Sequence, residues 1–302
     1  MKKPEARVSD PGATVLPLAV LLEAGANPAT AWRDLAVHGD EAAKHIVDKI
    51  DAGTSVAQAI ASRREHAQEW GDVAAAWEVS ETVGAPLADA LRAIASSLRD
   101  AGELRDDTRV ALAEPMASAR LMAWLPVLGI VVGIGLGLDP LGVLFASPIG
   151  ALCLITGLAL MVGARVWTAR LVRAARPRPG TPGMYEELLA IALSGGTSIS
   201  RARAVVASCD EWTPAAAEAS EEADRVLELS RNAGVPAAEL LRASAGYARH
   251  LARTEGRLRG ARLGTRLLLP MGVCTLPAFL LLGVAPMLIG ILGATPLPMS
   301  AG

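Results

Sequence analysis

The sequence predicts an all-α membrane protein with two cytoplasmic helical bundles and three transmembrane helices. Hydrophobic residues make up 52% of its 302 residues, but aromatic residues only 3%, and the mean hydropathy is +0.35. Apart from Asp139, the charged residues lie in two blocks, residues 1–120 and 165–266. Within those blocks Gly and Pro separate short Ala/Leu-rich stretches, and no run of alternating β-branched residues indicates a strand. This composition excludes a disordered chain, and three cysteines are too few for a disulfide scaffold.

Three long runs contain no charged residue, namely Leu121–Leu138, Phe145–Ala164 and Leu267–Ala294. A helix needs about 20 apolar residues to cross a bilayer. The sequence therefore predicts transmembrane helices at 119–138, 145–166 and 267–292. In the first of them Gly129, Gly133 and Gly137 are spaced four residues apart. This spacing predicts a helix face that packs closely within the membrane.

The arginines predict the orientation. Five of them crowd the end of the second apolar run: Arg165, Arg170, Arg173, Arg176 and Arg178. The loop around Asp139–Leu144 and the tail after residue 294 contain no Lys or Arg. By the positive-inside rule the N-terminus and both charged blocks are cytoplasmic, while that loop and the C-terminus are extracytoplasmic. The arginine cluster fits either a topology anchor on the anionic lipid bilayer or a surface for an acidic protein partner.

Composition also predicts the domain boundaries. We expect a disordered tail at 1–14, a first bundle at 15–117, a basic Pro-rich linker at 167–183, a shorter second bundle at 184–265 and a tail at 293–302. A weak likeness to a signal peptide at the start is interrupted by Glu5, Asp10 and Pro11. Residues 1–120 have a net charge of −6 and residues 165–266 of +5. The first bundle therefore suits a basic partner or the second bundle.

An internal repeat links the two bundles. The segment ETVGAPLADALRAIA at Glu81–Ala95 matches RNAGVPAAELLRASA at Arg231–Ala245 with an offset of 150 residues. The match aligns Gly84 with Gly234, Pro86 with Pro236 and Leu91 with Leu241. Further upstream Gly25 aligns with Gly195 at an offset of 170. The second copy should therefore be about 20 residues shorter, which is one helix and its turn.

No catalytic, cofactor or metal site is predicted. None of the four lysines, Lys2, Lys3, Lys44 and Lys49, lies in a Gly-rich phosphate-binding loop. Energy from ATP must therefore come from a partner. His38 and His45 have no third ligand nearby in sequence. The run Ser194–Ser198 is best explained by a helix cap at Thr197 or Ser198, and Ser55 is the predicted cap of the helix that begins at Val56. No feature favours nucleic acid.

The order of these features resembles the type II secretion system F family, and within it the tight-adherence (Flp) pilus inner-membrane component. The matching segments are DAGTSVAQAIA (Asp51–Ala61), AWEVSETVGAPLADAL (Ala76–Leu91) and ARLGTRLLLPMGVCTLPAFLLLGVAPML (Ala261–Leu288). Where family members often show G-E-x-x-G, this chain keeps Glu81 and Gly84 but has Ser80 at the first glycine.

The resemblance implies tandem F-type domains in a multi-pass protein of the bacterial inner membrane. It also implies a non-enzymatic platform that couples a hexameric cytoplasmic secretion ATPase to the extraction and assembly of pilin subunits, with a second F-family platform protein as a further partner. The alternatives are a transporter subunit, an unrelated membrane scaffold and a membrane-anchored enzyme. Same-side entry of the two repeats and the absence of mid-membrane charge disfavour the transporter.

Overall fold

A computed structural model describes residues 11–135, 140–175, 180–214 and 220–294. These residues are helical throughout and form no β-strand. The chain divides into two compact units. Unit 1 comprises Met1–Arg105 and Arg178–Thr254, and unit 2 comprises Asp106–Pro177 and Glu255–Gly302. The predicted tails at 1–14 and 293–302 and the predicted linker at 167–183 lie partly outside the described residues.

The first half of unit 1 is a series of short helices followed by the start of a long one. They are α1 (Pro11–Glu23), α2 (Pro28–Val37), α3 (Glu41–Asp51), α4 (Val56–Ala61), a 3₁₀ turn (Ser62–Glu65), α5 (Trp70–Val83) and α6 (Leu87–Gly135). Side chains cap three of these helices, and of the three caps the sequence predicts Ser55. Asn27, Asp40 and Ser55 each accept a hydrogen bond from a backbone N–H in the first turn of the next helix.

The described residues of the second half of unit 1 repeat this plan in part. Its elements are α9 (Met184–Ser194), α10 (Ile199–Ala207), α11 (Glu221–Ala233) and the start of α12 (Ala237–Pro270). Ser198 caps α10, as predicted, and Ser220 caps α11. Residues 38–69 separate α2 from α5, whereas only residues 208–220 separate α10 from α11. The length difference therefore corresponds to the segment that holds α3 and α4 in the first half.

Helix α5 lies at the centre of unit 1. Ten of its 14 residues are buried, and it packs against α1 and α4 of the first half and against α9 and α10 of the second. The surrounding core includes Trp32, Ile46 and Leu91 from the first half and Leu188 and Ile191 from the second. The two predicted bundles therefore share one hydrophobic core, while their exact boundaries stay a prediction.

Unit 2 contains the apolar helices. Besides the later parts of α6 and α12 it holds α7 (Pro140–Ala146), α8 (Pro148–Ala175), α13 (Leu276–Phe279) and α14 (Ala285–Ala294). Two of the described helical segments, Pro148–Ala174 and Ala237–Ile289, are long and apolar enough to cross a bilayer. The predicted span at 119–138 coincides with α6 as far as Gly135, and the rest of it lies outside the described residues.

The third apolar run is not a regular α-helix. Two π-helical turns, Met271–Thr275 and Leu280–Val284, interrupt it on either side of α13. The sequence predicts such irregularity because Pro270 and Pro277 lack the N–H that would continue the ladder. Ala278 and Leu282 in this region are buried, and the segment packs against α8. A neighbouring helix can thus shield the freed carbonyl groups.

Candidate functional site: the contact between the two halves of unit 1

The repeated turn has the same conformation in both halves of unit 1. Gly84 ends α5 with φ 71° and ψ 27°, and Gly234 ends α11 with φ 67° and ψ 20°. In each case the glycine N–H donates to the carbonyl of a serine four residues earlier. Both glycines lie in the left-handed region, which side chains other than hydrogen disfavour. Pro86 and Pro236 then precede the long helices, where Leu91 and Leu241 are fully buried.

A second pair of contacts repeats between the halves. Arg92 of α6 forms an ion pair with Glu23 at the end of α1. Its counterpart Arg242 donates a 2.7 Å hydrogen bond to Ser194 Oγ at the end of α9. Arg92 and Arg242 are 150 residues apart, as the repeat predicts, whereas Glu23 and Ser194 are 171 apart.

This geometry corrects the upstream alignment by one residue. Gly25 has φ 90°, and Gly196 has φ 75°, whereas Gly195 has φ −75°. The structural counterpart of Gly25 is therefore Gly196, and the alignment with Gly195 is wrong. Helix caps Asn27 and Ser198 follow the same 171-residue offset. Two adjacent glycines made the sequence register ambiguous, and only the backbone conformation distinguishes them.

Asp72 joins the halves at the start of α5. Its carboxylate accepts a 2.6 Å hydrogen bond from Thr181 Oγ1 and another of 2.6 Å from Thr213 Oγ1. The residue is only 4% exposed. Burial raises the pKa of Asp72 to about 6, against the lowering effect of the two threonine hydrogen bonds. A carboxyl group that titrates near neutral pH therefore ties the linker and the α10–α11 connection to the central helix.

Two close backbone approaches flank this carboxyl group along α5. A Cβ on Gly71 would clash with the carbonyl of Trp212. At the other end of α5, a Cβ on Gly195 would lie 2.7 Å from the carbonyl oxygen of Val83. The Arg64 guanidinium also donates to the Glu211 carbonyl. Small residues thus allow the second half to pack directly on the backbone of α5.

A group of ion pairs that includes the buried Glu187 carboxylate joins the two halves near the ends of the unit 1 segments of α6 and α12. Arg249 lies 3.2 Å from both Glu187 and Asp100, and the Glu187 side chain is only 3% exposed. Arg253 pairs with Asp100 and, at 3.4 Å, with Glu103. These contacts hold α9 and α12 of the second half against α6 of the first.

The remaining residues that the sequence singles out are distributed as follows. Glu81 accepts a 3.2 Å hydrogen bond from Trp77 Nε1. In unit 2 a Cβ on Gly129 would lie 3.2 Å from the Cα of Gly283, so these backbones are close. Gly133 lies in α6, and Gly137 lies outside the described residues. A packing face formed by all three glycines stays a prediction.

The predicted arginine cluster is exposed where it is described. Arg165, Arg170 and Arg173 lie on the surface of α8, and Arg176 and Arg178 lie outside the described residues. Charge follows the two units rather than the two predicted bundles. The described part of unit 1 has 15 basic and 23 acidic residues, and that of unit 2 has nine basic and four acidic ones. The positive charge assigned to the second block therefore belongs largely to unit 2.

Among the described residues no group of three His, Cys, Asp or Glu side chains could hold a metal ion. Burial raises the pKa of the Cys209 thiol to about 11, helped by the charge of Glu78, so this thiol is protonated at neutral pH. What the described residues form is a rigid, acidic helical unit whose halves are joined by polar contacts.

The comparison with protein families decides the identity of the first half. The family model for the type II secretion system (T2SS), protein F, matches residues 16–135. The match supports a type II secretion system F domain in this segment, which is less than half of the chain. No curated protein matches the chain.

The F-family match covers α1 to α6, from the first helix of unit 1 to the apolar end of the long helix. The family is of the platform type found in type II secretion and type IV pilus machines. F-family proteins are inner-membrane proteins that generally work with an ATPase in secretion machinery. The apolar helices of unit 2 agree with a membrane location for this chain.

Sequence reasoning missed the residues that join the halves, namely Asp72, Thr181, Thr213, Glu187 and Arg249. One signal was present, since Asp72 is the one charged residue in the otherwise apolar run from Trp70 to Trp77. A carboxylate in such a segment needs hydrogen-bond donors from elsewhere in the fold. The sequence does not reveal which donors supply them, because they lie more than 100 residues away.

Proposed function

We propose that this chain is the inner-membrane platform of a type IV (Tad/Flp-like) pilus or type II secretion machine. Its unit 1 engages a hexameric secretion ATPase in the cytoplasm. Its apolar helices, three spans in all, receive pilin subunits from the membrane and pass them to the growing fibre. The chain itself performs no chemistry, and the ATPase supplies the energy.

One observation carries this proposal. The segment matched by the F-family model contains both the helices of unit 1 and the apolar part of α6. Helix α12 likewise begins in unit 1 with the repeated Gly-Pro turn and continues into an apolar segment. Each half of the repeat thus leads without a break into a segment suited to lipid. The repeat supports two F-type domains in tandem, of which the second lacks the segment corresponding to α3 and α4.

The charge distribution supports different roles for the two units. The excess of acidic residues in unit 1 suits a water-exposed surface and a basic protein partner. The excess of basic residues in unit 2, beside the apolar helices, suits the cytoplasmic face of a membrane. In this arrangement the N-terminus is cytoplasmic and the C-terminus extracytoplasmic.

Gene deletion tests the proposal. In the native bacterium we expect deletion to abolish surface pili or secreted substrate, while the pilin precursor accumulates at normal levels in the inner membrane. A plasmid copy of the wild-type chain should restore assembly. Normal surface pili and normal secretion in the deletion strain would contradict the proposal. The full chain, purified in detergent, should also bind the secretion ATPase. A chain with Asp72→Arg, which disrupts unit 1, should not bind it.

A further inference from the structure

Besides Arg165, unit 2 contains four exposed arginines with no carboxylate partner among the described residues. They are Arg170 and Arg173 of α8 and Arg262 and Arg266 of α12, here called the arginine group. Within the part of the chain that the structure describes, one hydrogen bond involves the group, from Arg173 Nε to the Ala169 carbonyl at 3.3 Å within its own helix. An unpaired guanidinium presents five donors in a planar fork that suits phosphate oxygens.

Contacts between α8 and α12 place the two arginine pairs beside the same stretch of the helix contact. Leu171 and Val172 of α8 pack against Leu263 and Leu267 of α12, which are almost completely buried. Arg170 and Arg173 flank the Leu171–Val172 segment in sequence. Arg262 directly precedes Leu263, and Arg266 directly precedes Leu267. Residues about 90 positions apart in sequence therefore border the same helix contact.

This level coincides with the end of the apolar segments. The apolar helix Pro148–Ala174 ends one residue after Arg173, and no charged residue follows Arg266 in the chain. Trp167, one turn before Arg170, is 40% exposed. Exposed tryptophan beside arginine at the end of an apolar helix is typical of the headgroup region of a bilayer.

The arginines that precede the group along α12 behave differently. Arg249 and Arg253 of unit 1 pair with acidic residues. In unit 2 Arg257 lies 3.0 Å from Asp107, and Arg259 pairs with Glu255. The change from paired to unpaired guanidinium groups occurs between Arg259 and Arg262. The arginines named above, up to Arg259, therefore pair with carboxylates of this chain, and the arginine group has no such partner among the described residues.

We propose that the arginine group is a binding site for an anionic phospholipid, whose phosphate it holds at the α8–α12 contact. The leucine contact holds the two arginine pairs beside each other, and the apolar surfaces of α8 and α12 accept the acyl chains. Such a site differs from a diffuse positive surface because it depends on arginines from two helices. It also goes beyond the platform function, which does not require a particular lipid.

The test measures lipid binding to the full chain purified in detergent. Native mass spectrometry at fixed salt gives apparent affinities for phosphatidylglycerol and phosphatidylcholine with identical acyl chains. We expect the wild-type chain to bind phosphatidylglycerol more tightly than phosphatidylcholine. The double variant Arg262→Gln with Arg266→Gln should bind phosphatidylglycerol about tenfold more weakly or worse, since each basic residue near an anionic lipid adds to the affinity. Arg262→Lys with Arg266→Lys should retain most of the preference.

A matched variant controls for charge and folding. Arg257→Gln with Arg259→Gln removes the same charge from the same helix but from paired positions, so it should leave phosphatidylglycerol binding unchanged. Equal loss in both double variants, or no loss in either, would overturn the proposal. Displacement of the lipid by millimolar inorganic phosphate would overturn it in favour of a soluble anion. None of these outcomes bears on pilus assembly in the deletion strain, so the two proposals fail separately.

Discussion

Thr213 donates a 2.6 Å hydrogen bond to the buried carboxylate of Asp72, 141 residues earlier in the chain. Thr181 donates a second one, also of 2.6 Å. These bonds connect elements on either side of the apolar helices that separate the two halves in sequence. The two halves of unit 1 are thus one folding unit, and a change at Asp72 should affect both.

Replacement of Asp72 by Asn should alter the pH dependence of stability. The pKa of this carboxyl is raised from 3.8 to about 6 in the folded protein. The folded state therefore disfavours the ionised form, and stability falls as pH rises from about 4 to above 6. Wild type should gain about 2–3 kcal/mol between pH 7.5 and pH 4 from this group. Asp72→Asn should lose that gain and be the more stable protein at pH 7.5.

Thermal unfolding of the purified full chain, followed by helical circular dichroism at several pH values, measures this effect. Asp89→Asn at an exposed position of α6 is the control and should keep the wild-type pH dependence. A wild-type profile in Asp72→Asn would show that the carboxyl is not buried as described.

The two repeated turns should respond alike to substitution. Gly84→Ala and Gly234→Ala each force a side chain into the left-handed region and should cost about 1 kcal/mol. The control Gly102→Ala lies within α6, where a Cβ would meet nothing within 4 Å. It should be neutral or slightly stabilising. Equilibrium unfolding by denaturant measures all three, and a neutral result at one of the two turns would contradict the structural repeat.

Loss of the Arg249 guanidinium should be far more costly than loss of an exposed one. Arg249→Met leaves the buried Glu187 carboxylate unpaired, which should lower the free energy of unfolding by about 3 kcal/mol or more. Arg225→Met removes a pair in which the arginine side chain is 70% exposed, so its effect should be below about 1 kcal/mol. Equal denaturation midpoints for the two variants would refute a buried ion pair.

Two glycines of α8 should differ sharply in the membrane. A Cβ on Gly157 would lie 2.5 Å from Leu282 Cγ, whereas one on Gly163 would meet nothing within 4 Å. We expect Gly157→Ala to reduce the melting temperature of the detergent-solubilised protein and its level in membranes, since the close approach to the π-helical turn is lost. Gly163→Ala should resemble wild type. If both behave alike, α8 does not contact this turn in the membrane.

Local features of this fold can be predicted from sequence, and distant contacts cannot. Ser55 and Ser198 cap helices as expected, and Gly84 ends α5 as its Gly-Pro turn indicates. Each of these depends on residues within a few positions. The partners of Asp72 and Arg249 come from other helices, and no spacing along the chain reports them. The same holds for the arginine group, whose members meet only through the contact of Leu171 with Leu263 and Leu267.

The assignment of charge shows a further limit of the sequence. A net charge summed over residues 165–266 is positive, which suggested a basic second bundle. In the structure Arg170 and Arg262 belong to unit 2, while the second half of unit 1 is itself slightly acidic. Segment sums mix residues that the fold separates, because α12 contributes to both units.

Site-directed labelling tests the central claim most directly, namely that unit 1 is cytoplasmic and attached to a membrane-spanning unit. In a full chain without Cys153, Cys209 and Cys274, single cysteines are placed at exposed Ala52 in unit 1 and at Gly142 in α7. A membrane-impermeant maleimide should label Gly142→Cys in spheroplasts and Ala52→Cys only after the membrane is permeabilised. Labelling of Ala52→Cys in intact spheroplasts, or recovery of the whole chain in the soluble fraction without detergent, would contradict the account.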